Sequence, residues 1–267
     1  MLKDITIGQF FPGNSLIHRL DPRFKIVITF IFIIMLFVGS SPLGLLLGGI
    51  FTVYAITVSR IKLKLFVKSI KPIMPFLIIT AILNLFFISD GDVYFKWRFF
   101  KITSGGIKTS IFMIVRIVFL IAGTSLLTYT TSPIALTDAI ERLLSPLKKV
   151  KFPVHELAMM MTIALRFIPT LIEETDKIMS AQKARGAEID SGSLMARAKN
   201  VVSILIPLFI SSFRRAEELA TAMECRCYNG GEGRTRLRQL KSNRTDYAAL
   251  AVTLIFLAAV IAINIIF

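Results

Sequence analysis

Long uncharged runs of apolar residues alternate along the chain with shorter basic segments. The first run extends from Ile26 to Ser59, 34 positions without a charged residue, which is too long for one membrane span of about 20 residues. Gly39, Ser40, Ser41 and Pro42 lie in its middle, and this composition is typical of a tight turn. The pattern therefore predicts a helical hairpin over Pro22–Gly39 and Pro42–Ser59.

Three further runs, at about Pro72–Ile88, Ile107–Tyr129 and Tyr247–Phe267, each have the length of a membrane span. The run Ile107–Tyr129 carries Lys108 at its edge and Arg116 near its middle. A charge at that depth often serves a pathway or a partner, so Arg116 is a possible intramembrane functional charge. The five runs predict an all-α, polytopic membrane protein with about five transmembrane helices. Charged residues make up only 18% of the chain, against about 25% in soluble domains.

The basic residues account for the orientation that we expect. The net charge is +15, which in a soluble protein would suggest a nucleic-acid partner. Here Lys and Arg instead cluster between the apolar runs, notably in segments 1–25 and 60–71, and cytoplasmic loops are rich in these residues. We expect no nucleic-acid partner, a cell-membrane location, a cytoplasmic N-terminus and, with five spans, a C-terminus outside.

Two local expectations concern the ends of the apolar runs. Arg23 and Lys25 stand at the start of the first span, and we expect both side chains to extend toward water. Segment 89–106 alternates aromatic with polar residues, which predicts a short extended ribbon at the outer interface.

The stretch from Thr130 to Asp246 has a different character, with 18 of the 32 basic and 13 of the 17 acidic residues. Its apolar residues recur at helical spacing, which predicts amphipathic cytosolic or interfacial helices. The domains are therefore a membrane domain with four spans over 1–129, this insert over 130–246 and a last span over 247–267. We expect one helix from Pro133, one from Val154 that Pro169 breaks or kinks, and one over Pro207–Tyr228.

Two helices of the insert are expected to end in similar tripeptides, Ala184-Arg185-Gly186 and Cys225-Arg226-Cys227. By physical chemistry alone, each is a helix stop, because a cation suits the C-terminal dipole and Gly commonly ends a helix. Cys225 and Cys227 have the wrong spacing for a thiolate site and lack further ligands, so no metal is expected. The adjacent Glu173 and Glu174 are interpreted as a solvated face.

Several short motifs follow one another along the chain, and their order identifies a protein family more specifically than any single motif does. In this order the chain resembles the transmembrane T component of energy-coupling factor transporters, the vitamin and metal-ion importers of the ATP-binding cassette class. The residues that carry the resemblance are His18–Lys25, Tyr129–Pro133, Pro153–Ala158, Ala164–Leu171, Ala181–Ala187 and Ala222–Tyr228.

The resemblance implies a non-catalytic subunit that links two ATP-binding-cassette ATPases to a small substrate-binding membrane protein, the S component. In the family, two Ala-Arg-Gly motifs end the coupling helices and dock into grooves on the ATPases. Ala184, Arg185 and Gly186 match the first motif, whereas Cys225 and Cys227 replace Ala and Gly around Arg226 in the second. Loss of that Gly makes Gly230 a candidate for the helix stop. The unequal motifs favour two different ATPases, and ATP is expected on them, with no cofactor in this chain.

Two other transporter classes compete with this interpretation. An ordinary permease of an ATP-binding cassette importer gates the substrate itself, but it is expected to have one compact coupling loop, unlike the long insert here. A secondary transporter is expected to have acidic groups in its spans and an internal repeat, and neither is evident. Co-purification distinguishes the classes, because only a T component carries two ATPases and a separate small membrane protein.

Overall fold

The computed structural model describes residues 10–88, 92–97, 100–186, 194–230 and 240–266. These residues are almost entirely helical, which confirms the predicted all-α fold. The helices are α1 (Leu16–Arg19), α2 (Pro22–Val38), α3 (Pro42–Ser59), α4 (Leu63–Ile70), α5 (Met74–Phe87), α6 (Ser104–Thr130), α7 (Pro133–Leu144), α8 (Val154–Ala184), α9 (Leu194–Glu224) and α10 (Arg244–Ile266).

The chain divides into two compact units. One, which we call the apolar unit, comprises Gly8–Ala139 and Gln239–Phe267. The other, the insert unit, comprises the described residues within Ile140–Arg238.

Five helical segments of the described chain are long and apolar enough to cross a membrane: Pro42–Ser59, Leu63–Phe87, Ser104–Thr130, Val154–Ala184 and Arg244–Ile266. The number of candidate membrane spans agrees with the sequence prediction, but the helices that make up the five are not all the predicted ones. Helix α2 has 17 residues, at the lower end of the range that can span a bilayer. Helix α8 meets the same requirement of length and composition, although it was expected to belong to the insert.

The predicted first hairpin has the expected local signals at its turn. Gly39 is the C-cap residue of α2, and the Ser41 side chain accepts a hydrogen bond from the Gly44 N–H at the start of α3. The next span begins earlier than predicted, at Leu63 instead of Pro72. A 3₁₀ turn at Lys71–Ile73 joins α4 to α5, because Pro72 has no N–H for a regular helical bond but is tolerated in the first turn of a new segment.

The expected break at Pro169 and the expected helix start at Pro207 were wrong, whereas a kink at Pro169 stays a prediction. Helix α8 continues from Val154 to Ala184 through Pro169. Helix α9 continues through Pro207 and begins at Leu194, well before the predicted start at Pro207. An internal Pro removes one backbone hydrogen bond. The helices α8 and α9 pack against each other, and this packing stabilises the continuous helices despite that loss.

The core of the apolar unit lies where α2, α3, α6 and α10 meet. The buried side chains are Phe32, Met35, Leu36, Leu45, Phe51 and Val260. Gly123 of α6 permits a close approach to α2, since a Cβ at this position would clash with the ring of Phe32. Small residues allow membrane helices to approach in this way.

The aromatic segment between α5 and α6 forms two short antiparallel strands, β1 (Val93–Trp97) and β2 (Phe100–Thr103), with Trp97 opposite Phe100. The predicted extended ribbon is therefore present in the described part of segment 89–106. Residues 89–91, 98 and 99 of that segment lie outside the described residues.

Candidate functional site

The first arginine motif forms the end of α8. Ala184 is the last helical residue, and Arg185 is the C-cap residue, whose N–H donates to the Ala181 and Gln182 carbonyls at 3.2 and 3.1 Å. Gly186 follows with φ +85°, and a Cβ added there would meet no neighbouring atom of the described residues within 4 Å. Gly is thus favoured here because the backbone is left-handed, and not because neighbouring atoms leave no room for a side chain. Ala187 lies outside the described residues.

The second motif ends α9 with the same backbone pattern. Cys227 has φ 56° and stands where the first motif has glycine. Its N–H donates to Glu224 at 2.9 Å, and the Tyr228 N–H donates to Met223 at 3.0 Å. These two bonds make a Schellman motif in which Arg226 is the C-cap residue. Gly230 was a candidate for this stop, but Cys227 itself takes the left-handed position, at a cost of about 1–2 kcal/mol.

Both motifs therefore place an arginine after the end of a 31-residue helix and directly before a residue of positive φ. Ala184, Arg185, Gly186, Cys225, Arg226 and Cys227 are all exposed. Neither arginine side chain has a hydrogen-bond or ion-pair partner among the described residues. Within the part of the chain that the structure describes, each guanidinium is available for a further contact.

A polar contact joins α8 to α9 within the insert unit. Glu174 accepts a hydrogen bond from Arg215 Nη2 at 3.1 Å and another from the Ser211 hydroxyl. The guanidinium carbon of Arg215 also lies 5.9 Å from the centre of the Phe167 ring. The expectation that Glu174 belongs to a solvated face was wrong, because its partners come from a helix that follows much later in the chain.

The apolar stretch within α9 remains uncovered in the insert unit. Its exposed side chains are Val201, Val202, Leu205, Ile206, Phe209, Ile210 and Phe213. These residues recur at helical spacing and form one continuous face. A face of this kind is suited to lipid or to an apolar partner.

The apolar unit contains a cluster of polar side chains, which we call the anchor cluster, at the start of α2 and α10. Asp246 is 1% exposed; its carboxylate accepts the Asp21 N–H at 2.9 Å and the Asn243 N–H at 2.6 Å. Asp21 in turn caps α2 and forms an ion pair with Arg23 at 2.6 Å. The buried carboxylate thus fixes the start of α10 to the start of α2.

Lys25 extends the anchor cluster to the end of α6. Its ammonium donates to the Thr130 carbonyl at 2.9 Å and to the Thr131 hydroxyl at 3.3 Å, and the residue is 5% exposed. The expectation that Lys25 extends to water was therefore wrong, because these oxygen atoms replace its hydration. Lys25 fixes α6 immediately before the chain enters α7.

Arg116, the possible functional charge, has partners inside the apolar unit. Its Nη2 donates to the Gly39 carbonyl at 2.7 Å, and its guanidinium lies 4.6 Å from the centre of the Phe112 ring. A cation at the C-terminal end of α2 suits the helix dipole and satisfies a terminal carbonyl. These contacts join α6 to α2 through Arg116, and a functional role of this charge stays a prediction.

Among the described residues, no group of three or more His, Cys, Asp or Glu side chains could hold a metal ion. Cys225 and Cys227 are both free and exposed within that part of the chain.

Comparison with known proteins gives one consistent result. The family described as cobalt transport protein, CbiQ, matches residues 13–237. The energy-coupling factor transporter transmembrane protein EcfT of Ruminiclostridium cellulolyticum is 54% identical over 267 residues, the full length of both chains. EcfT of Clostridium kluyveri is 56% identical over 96% of this chain and 95% of its own. EcfT of Bacillus subtilis is 48% identical over 98% of each chain.

Proposed function

This chain belongs to the EcfT family of energy-coupling factor transporter transmembrane proteins, and we propose that it couples two ATP-binding-cassette ATPases to a small S component. The complex imports vitamins or other micronutrients with the energy of ATP hydrolysis. This chain is its non-catalytic transmembrane subunit. ATP is bound by the partner ATPases, and this chain needs no cofactor of its own.

The observation that carries this proposal is the pair of exposed arginines at equivalent helix ends. Arg185 and Arg226 each follow a long helix and precede a residue in the left-handed conformation. A guanidinium presents five donors in a planar fork and is always charged. It can bind a carboxylate bidentately or donate to carbonyls in a groove. Ala184, Gly186, Cys225 and Cys227 shape the backbone around these two contacts.

The same helices can transmit movement. Each of α8 and α9 has 31 residues, which corresponds to about 46 Å at 1.5 Å per residue. When the ATPases close or open, their grooves move the two arginine tips, and the helices move as stiff bodies. The exposed apolar face of α9 supports a contact of the insert with lipid or with an apolar membrane partner. The difference between Gly186 and Cys227 favours a heterodimer of two unlike ATPases.

Purification of the tagged, full-length chain from its own cells tests the proposed assembly. We expect two ATPase polypeptides and a separate small membrane protein to co-purify with it, because the exposed arginines bind the ATPases and the S component supplies substrate binding. Mass spectrometry of the purified complex identifies the subunits. An ordinary importer permease would instead carry ATPases and recruit a soluble binding protein, and recovery of that assembly would contradict the proposal.

The helix directions support a cytoplasmic N-terminus and an external C-terminus. At one end Asp21 of the α2 cap binds Asp246 of α10, and at the other Ser40 donates a hydrogen bond to Asn264. Helices α2 and α10 therefore run parallel, and a chain that enters α2 from the cytoplasm leaves α10 outside.

Labelling with a membrane-impermeant maleimide checks this orientation. In intact cells that express the chain alone, we expect no reaction at the native Cys225 and Cys227, since the insert is cytosolic. In a cysteine-free background, Ile265→Cys and Ser40→Cys should both react from outside. Reaction of the native cysteines in intact cells would place the end of α9 outside and contradict this orientation; permeabilised cells provide the positive control.

A further inference from the structure

We infer that Glu174, Ser211 and Arg215 form a lock between α8 and α9 that fixes the spacing of the two arginine tips. The role of the tips in ATPase docking rests on the proposed function, whereas the lock itself rests on the contacts of the insert unit. We call these three residues the coupling lock.

The geometry of the lock holds α9 at two points. Ser211 and Arg215 are four residues apart on α9, and both donate to the carboxylate of Glu174. Residues with this spacing lie on one helix face in consecutive turns. Because one carboxylate binds both turns, sliding of α9 along α8 or rotation about its own axis breaks at least one hydrogen bond.

The lock is equally distant from the two tips along the chain. Arg185 follows Glu174 by eleven residues, and Arg226 follows Arg215 by eleven residues. Eleven helical residues correspond to about 16 Å and about three turns. Glu174 and Arg215 therefore each lie close to the same side of their helix as the arginine that follows. The two segments from the lock to the arginines thus have equal length. A small movement of the helices at the lock therefore displaces both arginine tips by similar distances.

Partial burial makes the ion pair between Glu174 and Arg215 suitable for fixing the position of α9 against α8. The side chains of Glu174 and Arg215 are 22% and 36% exposed, and Phe167 covers one side of the guanidinium. Such a pair adds little net stability. Its hydrogen bonds are nevertheless directional, unlike apolar contacts, and polar contacts of this type can fix the register between helices.

The chain supplies a matched control for each charged member of the lock. Glu173 and Arg214 have the same charges as their neighbours Glu174 and Arg215, but their side chains are exposed. Removal of either control residue changes the net charge of the helix equally and leaves the α8–α9 contact in place.

Distance measurement by pulsed electron resonance tests the lock without any ATPase. Spin labels are attached at Ala181→Cys and at the native Cys225, in a Cys227→Gly background, and the full-length chain is placed in lipid nanodiscs. We expect one narrow distance distribution in this labelled chain and a broader or shifted one in Glu174→Ala and Arg215→Ala. The double exchange Glu174→Arg with Arg215→Glu should narrow the distribution again. Distributions in the lock variants that equal those of Glu173→Ala and Arg214→Ala would overturn the inference.

Transport by the reconstituted complex tests what the spacing does. In the lock variants the ATPases should still bind, because Arg185 and Arg226 are intact, but substrate uptake per ATP hydrolysed should fall roughly two- to five-fold. If uptake per ATP were unchanged although the spin-label distance distributions had broadened, the inference would also be overturned. If the unaltered chain bound no ATPases while the distances responded as expected, the proposed function would fail and the lock would stand.

Discussion

Replacement of both Arg185 and Arg226 by alanine is expected to abolish ATP-driven uptake. A charged hydrogen bond contributes about 1.5–3 kcal/mol, and the loss is larger when its partner is left buried and unpaired. Each single substitution should therefore weaken ATPase binding by roughly ten- to a hundred-fold. Co-purification of the ATPases and substrate uptake, measured for both single variants and the double variant, give the result.

Two conservative variants sharpen this experiment. Arg185→Lys should restore binding only in part, because lysine keeps the charge but not the planar fork of donors. Cys227→Gly should retain binding and uptake, since it preserves Arg226 and relieves the left-handed strain at φ 56°.

The competing explanation is that both arginines are only helix caps. It predicts a small loss of stability and near-normal uptake in the double variant. That outcome would exclude the proposed docking role, since both side chains are exposed and have no partner among the described residues.

Asp246→Ala is expected to cause a large loss of stability in the apolar unit. The substitution leaves the buried Asp21 N–H and the partly buried Asn243 N–H without their acceptor. The unsatisfied Asp21 N–H costs about 1–3 kcal/mol, and loss of the contact to the Asn243 N–H at the start of α10 costs about 0.5–2 kcal/mol, so the total is on the order of 2–5 kcal/mol. This corresponds to a fall of roughly 5–15 °C in the unfolding midpoint, measured as the monodisperse fraction that remains after heating in detergent.

Two variants serve as controls for the effect of Asp246. Asp246→Asn retains one acceptor oxygen and should lose less stability than the alanine variant. Asp92→Ala removes an exposed carboxylate and should leave the midpoint unchanged. If Asp246→Ala were as stable as Asp92→Ala, the anchor cluster would not hold α2 to α10.

In the apolar unit, the local sequence pattern predicted most of the helix bounds. Uncharged runs gave the spans Pro42–Ser59 and, within a few residues, Ser104–Thr130 and Arg244–Ile266, because the hydrocarbon thickness sets the length of an apolar helix. The turn at Gly39 and the helix ends at Arg185 and Arg226 were also evident, since caps and stops depend on residues only a few positions apart.

The expectations that failed depended on partners distant in sequence. The burial of Lys25 needs the Thr130 carbonyl, 105 residues away, and the pairing of Glu174 needs Arg215, 41 residues away. The continuity of α8 and α9 through Pro169 and Pro207 likewise accompanies packing between the two helices.

The sequence by itself determined the membrane class, most helix bounds and the positions of the two exposed arginines, because hydrophobic runs and helix stops act over a few turns. The tertiary structure alone decided that Asp246 binds Asp21, 225 residues away, that Arg116 joins α6 to α2, and that Glu174 joins α8 to α9. These contacts pair groups whose neighbourhood exists only after the chain has folded, and no local periodicity encodes them.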